Sequence, residues 1–294
     1  MKHYVSFDIG GTKVKHGILS ESGVIMSKNS YPTNTQSNES FINSMIETVK
    51  DYQKTAAIHG VALSFPGFIN TKTGYIEMAG AIEALQQTNL KKVLEKELLL
   101  SVAIENDANC VALAEKFLGN AQDCQDFICL TIGTGIGGGI FVNGQLVRGH
   151  KWRAGEFGMM NVGSICDRYQ NMHEVCSTRA LIEAYKTYNK IPQDQVIEGH
   201  LVFEETEHGP HVQELVDRWL KYLSDGIFNL VCTLNPEKVL IGGGVSQREE
   251  LLALIEAKLK LIPVWKDFRT PLDRCYFKND AGLIGALYHF LNQE

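Results

Sequence analysis

The sequence predicts an α/β fold of two similar lobes facing each other across a central cleft. Three observations predict it. Short apolar runs that read as strands alternate with stretches of helical spacing. The layout strand, Gly/Thr turn, strand, tight turn, strand occurs twice, over residues 3–28 and 127–147, as an internal duplication would produce. The 294 residues suffice for one large domain or two ordinary ones. Repeated glycine turns are also common in any α/β protein, and that plainer reading stays open.

In chain order, residues 3–8 read as a strand ending on Asp8, and Gly10-Gly11 turn the chain into a second strand, 14–19. Ser22-Gly23 makes a hairpin into a third strand, 24–28. Asn38 is the expected cap of a helix whose apolar residues Phe41, Ile42, Met45, Ile46, Val49 and Tyr52 share one face. A strand at 58–65 closes on Pro66-Gly67. Asn89 caps a helix carrying Leu90, Val93, Leu94 and Leu98, and a strand at 102–104 leads into a helix over 107–117. The second copy has a strand at 127–132, a glycine turn over 133–139, a strand at 140–142, the turn Asn143-Gly144 and a strand at 145–147. Residues 150–176 read as irregular, and 177–225 as mostly helical with a polar break at 204–210. A buried strand at 239–241 meets Gly242-Gly243-Gly244 and a helix through Leu251, Leu252, Ile255 and Leu259. An apolar helix over 281–291 ends the chain.

Composition narrows the function classes. The chain is 44% hydrophobic and 21% charged, as ordinary globular proteins are. No apolar run is long enough to cross a membrane, and the start has no secretory leader pattern, so a cytoplasmic protein is expected. A net charge of −6 argues against direct nucleic-acid binding. Seven cysteines without CxxC spacing read as reduced thiols.

The glycine clusters carry the chemistry. In Asp8-Ile9-Gly10-Gly11-Thr12-Lys13, two glycines let backbone approach an anion, Thr12 adds a hydroxyl, and Asp8 is placed to hold magnesium, directly or through water. An ordinary glycine-rich turn is an equally open reading. Residues Gly133, Gly135 and Gly138 spell GxGxxG, but the dinucleotide motif must open a helix and here a strand follows. A phosphate turn between strands fits better than a nicotinamide site. Gly242, Gly243 and Gly244 lie between strand and helix, where either a flat ligand or close packing uses glycine. Asp107, at a strand end entering a helix, is placed to take a proton from a substrate hydroxyl, with Asn106 beside it. Plain N-capping by Asp107 is the other use of such a residue.

DIGGTK at 8–13, FPG at 65–67, ENDAN at 105–109, TIGTGIGGG at 131–139, GEFG at 155–158 and IGGGV at 241–245 together resemble the ROK family in order and spacing. These are sugar kinases and related repressors of the actin-like ATPase superfamily, with a ribonuclease H-like fold. The resemblance covers essentially the whole chain. It implies an ATP- and magnesium-dependent hexose kinase, with a small lobe of residues 1–118 completed by 279–294 and a large lobe of 119–278. Asp107 matches the catalytic base acting on the sugar's C6 hydroxyl. Asn106, Glu156 and Gly67 match the sugar side. Asp8, Gly10, Gly11, Thr12 and Lys13 match the first phosphate loop, with Asp8 near magnesium. Thr131, Gly133, Thr134, Gly135 and Gly137 match the second, and Gly242, Gly243 and Gly244 the nucleotide-side turn. The family also implies a homodimer. Its repressors carry a helix-turn-helix before the first loop, and only seven residues precede Asp8 here, so direct DNA binding is not expected.

The sequence departs from the family where many members bind zinc. Met159 stands in place of a His after the GExG turn, and Cys166, His173 and Cys176 do not keep the zinc spacing, so no zinc site is expected. His208 and His211 read as solvated loop residues. The family's second sugar-facing Glu lies four residues before a helix Ser. Counting back from Ser177 gives His173, with Glu174 one step away, and both stay open. Changed contacts on the anomeric side point to a β-glucoside such as cellobiose. N-acetylmannosamine and glucose are the alternatives, and a non-catalytic sugar-sensing regulator is the rival from another class.

Overall fold

The computed structural model describes residues 2–34, 37–165, 168–204 and 209–293. The chain divides into two compact units. One comprises Met1–Asp123, Leu146–Ala154 and Asn279–Glu294, the other Cys124–Gln145 and Gly155–Lys278.

The first unit opens with β1 (His3–Ile9), β2 (Lys13–Ser20), β3 (Ile25–Pro32), α1 (Asn38–Gln53) and β4 (Ile58–Phe65). The small hairpin β5 (Phe68–Asn70) and β6 (Tyr75–Met78), then α2 (Leu90–Leu98), β7 (Val102–Asn106) and α3 (Asp107–Leu118), follow. Its sheet runs β3-β2-β1-β4-β7. The β1–β2 and β2–β3 pairs are antiparallel, β1–β4 and β4–β7 parallel. β1 and β4 are buried nearly throughout, as strands covered on both faces must be. Two helix starts test the sequence reading. Asn89 caps α2, its side chain accepting Lys92 N–H at 3.0 Å. The cap of α1 is Ser37 rather than Asn38, its hydroxyl accepting Ser40 N–H at 3.1 Å. The two residue types cap almost equally well, so adjacency alone does not decide between them. β3 extends to Pro32, beyond the expected 28, as a mostly exposed polar edge strand.

The second unit contains β8 (Phe127–Ile132), β9 (Ile136–Val142), β10 (Gln145–Leu146), the hairpin β11 (Asn161–Ile165) and β12 (Arg168–Asn171), and α4 (Met172–Cys176). Then come α5 (Thr178–Asn189), α6 (Gly199–Glu204), α7 (Pro210–Leu234), β13 (Lys238–Gly242), α8 (Leu251–Leu259), α9 (Trp265–Phe268) and β14 (Leu272–Arg274). Its sheet order is β10-β9-β8-β13-β14. In both five-stranded sheets, therefore, the first strand in chain order pairs antiparallel with the second and parallel with the fourth, which is the expected duplication. The chain closes with α10 (Ala281–Leu291), packed on α3, β4 and β1 of the first unit. A Cβ at Gly285 would strike the Cys110 carbonyl, so glycine permits the α10–α3 approach.

Two expectations are corrected. The glycine turn spans only 133–135, because Gly137, Gly138 and Gly139 lie in β9, paired with Thr131, Leu130 and Cys129. Gly138 is glycine for closeness: a Cβ there would strike the Cys129 carbonyl and the Phe157 ring. Residues 150–156 are irregular as expected, but 157–176 hold a 3₁₀ turn at Phe157–Met159, the β11–β12 hairpin and α4. Within the polar break, residues 205–208 lie outside the described residues. Among the described residues no helix is long and apolar enough to cross a membrane.

Candidate active site

In the first unit the β1–β2 turn places Asp8 opposite Lys15. Gly10 N–H donates to the Lys13 carbonyl at 3.0 Å, and the Thr33 hydroxyl donates to the Gly10 carbonyl at 2.6 Å. Gly11, Thr12 and Lys13 are left exposed at the sheet's end. Asp8 is held on both oxygens: Ser64 Oγ donates to Oδ1 and Lys15 Nζ to Oδ2, each at 3.0 Å. Lys15 also donates to the Asn279 carbonyl at 3.0 Å. A carboxylate already paired with an ammonium group is a poor direct ligand for a second cation. It still has lone pairs for metal-bound water, so the donor set fits magnesium held through water. Among the described residues no cluster of three His, Cys, Asp or Glu side chains could hold a metal.

The β7–α3 junction presents the candidate base. Asn106, not Asp107, is the N-cap of α3: its Oδ1 accepts Asn109 N–H at 3.1 Å. Asp107 is the exposed first residue of the helix, its Oδ1 accepting Ala108 N–H at 2.8 Å. Asn106 Nδ2 donates to the Gly67 carbonyl at 3.0 Å, so Gly67 orients Asn106. Gly67 itself has φ +102°, and a Cβ there would strike the Met78 carbonyl, so only glycine suits this turn. Beneath the junction lies Glu105, whose Oε1 accepts Asn106 N–H at 2.8 Å and Asn109 Nδ2 at 3.0 Å.

In the second unit the turn 133–135 is tied to α5, because the Gly133 carbonyl accepts Thr178 N–H at 2.9 Å. Trp219 Nε1 steadies the same helix start by donating to the Ser177 carbonyl at 3.0 Å. A cavity of about 920 Å³ opens between this turn, α5, the 193–199 segment with α6, and Gly244, Val245 and Arg248. That is room for a nucleotide-sized ligand. A Cβ at Gly133 or Gly244 would meet no atom within 4 Å, so both glycines expose backbone to the cavity. Gly243 differs: φ is +89° and a Cβ would strike the Ile132 carbonyl, so it serves packing. Gly242 closes β13 opposite Thr131. The helix expected through Leu251, Leu252, Ile255 and Leu259 is α8, and a 3₁₀ turn, Gly244–Gln247, separates it from the glycines. The cavity's Arg179, Lys186, Phe203 and Arg248 were not singled out in the sequence. No periodic signal marks them: Thr178, Ile182 and Lys186 lie on the same side of α5 as buried Leu181 and Tyr185, and Lys186 is itself buried.

Glu156 precedes the Phe157–Met159 turn and is half-buried, while Met159 is 61% exposed. His173, on α4, lies against this turn: a Cβ at Gly158 would strike its ring. Its Nδ1 accepts Ile136 N–H at 2.9 Å. Glu174 is exposed and occupied in a capping box, its Oε2 accepting Asn171 N–H at 3.3 Å. The structure thus turns His173 toward the phosphate turn and Glu174 toward its own helix cap. Burial pushes the Cys176 thiol far up, which disfavours a metal-binding thiolate there. His211 is exposed beside Tyr188, and Cys166 and His208 lie outside the described residues.

Comparison with known proteins agrees along the whole chain. Residues 4–293 match the description of the ROK family. The beta-glucoside kinase of Listeria monocytogenes is 37% identical over 293 residues, covering 98% of this chain and 97% of the relative. The solved structure of the Lmo2764 protein from Listeria monocytogenes superposes with a TM-score of 0.89 at 37% identity, covering 98% of each chain. A ROK glucokinase from Streptomyces griseus, solved with glucose and AMPPNP, superposes with a TM-score of 0.80 at 27% identity, covering 97% of this chain and 98% of that one.

Proposed function

The chain belongs to the ROK family, and from that premise we propose that it is an ATP-dependent sugar kinase acting on the C6 hydroxyl of a β-glucoside such as cellobiose. One observation carries the substrate class: the 37% identity to a beta-glucoside kinase, spread over 98% of the chain.

Residues that this reading uses lie in both units. In the second, the cavity lined by Gly133, Thr134, Gly244 and Arg248 suits ATP, in keeping with the AMPPNP bound by the related glucokinase. In the first, the exposed carboxylate of Asp107 accepts the hydroxyl proton as the oxygen attacks the γ-phosphorus. Asn106 keeps one Nδ2 hydrogen and one Oδ1 lone pair for sugar hydroxyls, and Gly67 holds it in place. Glu156 accepts from further hydroxyls. Lys15 and the Gly11–Thr12 backbone supply positive charge and donors for phosphate oxygens. Magnesium, which supplies charge neutralisation in such transfers, would be held by Asp8 through water. The protein is expected to work as a cytoplasmic homodimer without direct nucleic-acid binding.

The test is sugar-dependent ADP release with Mg-ATP across cellobiose, another β-glucoside, glucose, fructose and N-acetylmannosamine. Preferred turnover of β-glucosides supports the reading. Preference for a sugar with a free anomeric hydroxyl overturns the substrate, and no turnover with any sugar overturns the kinase.

A further inference from the structure

Two thiols of the second unit lie face to face. Cys129 Sγ, in β8, is 3.3 Å from Cys275 Sγ, one residue past the end of β14. The two are 146 positions apart in the chain, so only the fold brings them together. Cys129 is buried and Cys275 half-buried, so solvent reaches the pair from the Cys275 side. Gly242, the last residue of β13, makes room for the sulfur. A Cβ there would lie 2.9 Å from Cys275 Sγ and 3.6 Å from Thr131 Cγ2. The glycines of the 242–244 run therefore serve different ends: Gly242 admits a thiol, and Gly244 opens to the cavity.

The two sulfurs are not equally free to move. Cys129 sits within β8, paired with Gly139 of β9 on one side and Leu240 of β13 on the other. Cys275 has left β14, and its N–H donates to the Ile241 carbonyl at 3.0 Å. A disulfide is ~2.05 Å long, so about 1.2 Å separates the thiols from bonding distance. Closing that gap falls on Cys275. Through its bond to Ile241, the movement loads the end of β13, next to Gly243 and Gly244.

We propose that Cys129 and Cys275 form a peroxide-sensitive dithiol, which closes to a disulfide and thereby weakens nucleotide binding at the neighbouring turn. Cys275, the accessible thiol, reacts first as its thiolate. Its sulfur bonds one oxygen of hydrogen peroxide, the O–O bond breaks, and the hydroxide released takes up a proton as water. The Cys129 thiol then attacks the resulting sulfenic sulfur and gives up its proton. The S–S bond forms, the S–O bond breaks, and the departing hydroxide leaves with that proton as a second water. Each sulfur loses one electron, and the peroxide gains two. The nucleotide half of the proposal rests on the kinase reading above, whereas the dithiol chemistry does not.

Peptide mapping tests the chemistry on the wild-type chain. Reduced protein is treated with hydrogen peroxide, remaining thiols are blocked with N-ethylmaleimide, and peptides are weighed. The first product should lack two hydrogens, join the Cys129 and Cys275 peptides, and revert with dithiothreitol. If both cysteines are still free once exposed Cys232 has been oxidised, the proposal is overturned. Calorimetry with Mg-AMPPNP tests the consequence. Cross-linked protein should bind about threefold or more weakly than reduced protein. Cys275→Ser should abolish both the cross-link and the effect of peroxide on affinity. Equal affinity of the cross-linked and reduced forms, or a loss that persists in Cys275→Ser, overturns the coupling to the turn. Reduced wild type that binds no AMPPNP overturns the nucleotide reading of the cavity, and the mapping still decides the dithiol.

Discussion

Arg148 Nε lies 2.7 Å from Oε2 of Glu105, a carboxylate only 1% exposed, two residues before Asp107. Glu105 also accepts Asn106 N–H and Asn109 Nδ2, so this buried anion organises the turn that presents Asp107. Removing the cation would leave a buried charge without its counterion. Arg148→Met is expected to destabilise the protein by about 3 kcal/mol, the low end for such a loss, because two neutral donors remain. Urea unfolding measures this. Arg148→Lys should recover part of the loss but not the directional Nε bond. A methionine variant as stable as wild type would show that the pair organises nothing.

The glycines of the second unit should separate into two kinds. Gly133 faces open cavity, so Gly133→Val should raise the KM for ATP about tenfold or more with little change in unfolding midpoint. Gly243 has φ +89° against the Ile132 carbonyl, so Gly243→Ala should lower stability by more than about 1 kcal/mol. Paired melting curves and ATP kinetics check both. Equal effects of the two substitutions on stability would contradict the distinction.

Acid should weaken the first unit through its buried histidines. Burial lowers the pKa of His289, outweighing the attraction of Glu105, and burial likewise lowers that of His16. The unfolded chain therefore takes up protons at these positions at higher pH than the folded chain does. Stability is full above the unfolded value of about 6.5 and declines as pH falls through and below it. Thermal midpoints between pH 7.5 and 5.5 should show that decline, and His289→Gln should flatten it. An unchanged slope in the variant would remove His289 from the account.

Much of this is legible in the sequence. The apolar run of residues 281–291 marks α10 to the residue, and the repeated turns mark the duplicated sheets. What escaped follows from how side chains signal structure. Gly137, Gly138 and Gly139 have no side chains to alternate, so a strand there looks like a turn. The β11–β12 hairpin is short and largely polar, so its pairing leaves little hydrophobic pattern. The cavity walls Arg179, Lys186 and Arg248 are long polar residues, and only the fold gathers them around one space. At the candidate base the motif drew attention to Asp107, but which of Asn106 and Asp107 caps α3 depends on backbone geometry that composition does not encode.

The most direct test of the central claim is the turnover of Asp107→Asn with cellobiose and Mg-ATP, beside the wild type. The substitution keeps the size of the side chain and removes its ability to take a proton. The account predicts a fall in kcat of about 10² to 10⁴, with folding and the KM for ATP preserved. A kcat within about threefold of wild type would contradict Asp107 as the base, and with it the catalytic reading of the β7–α3 junction.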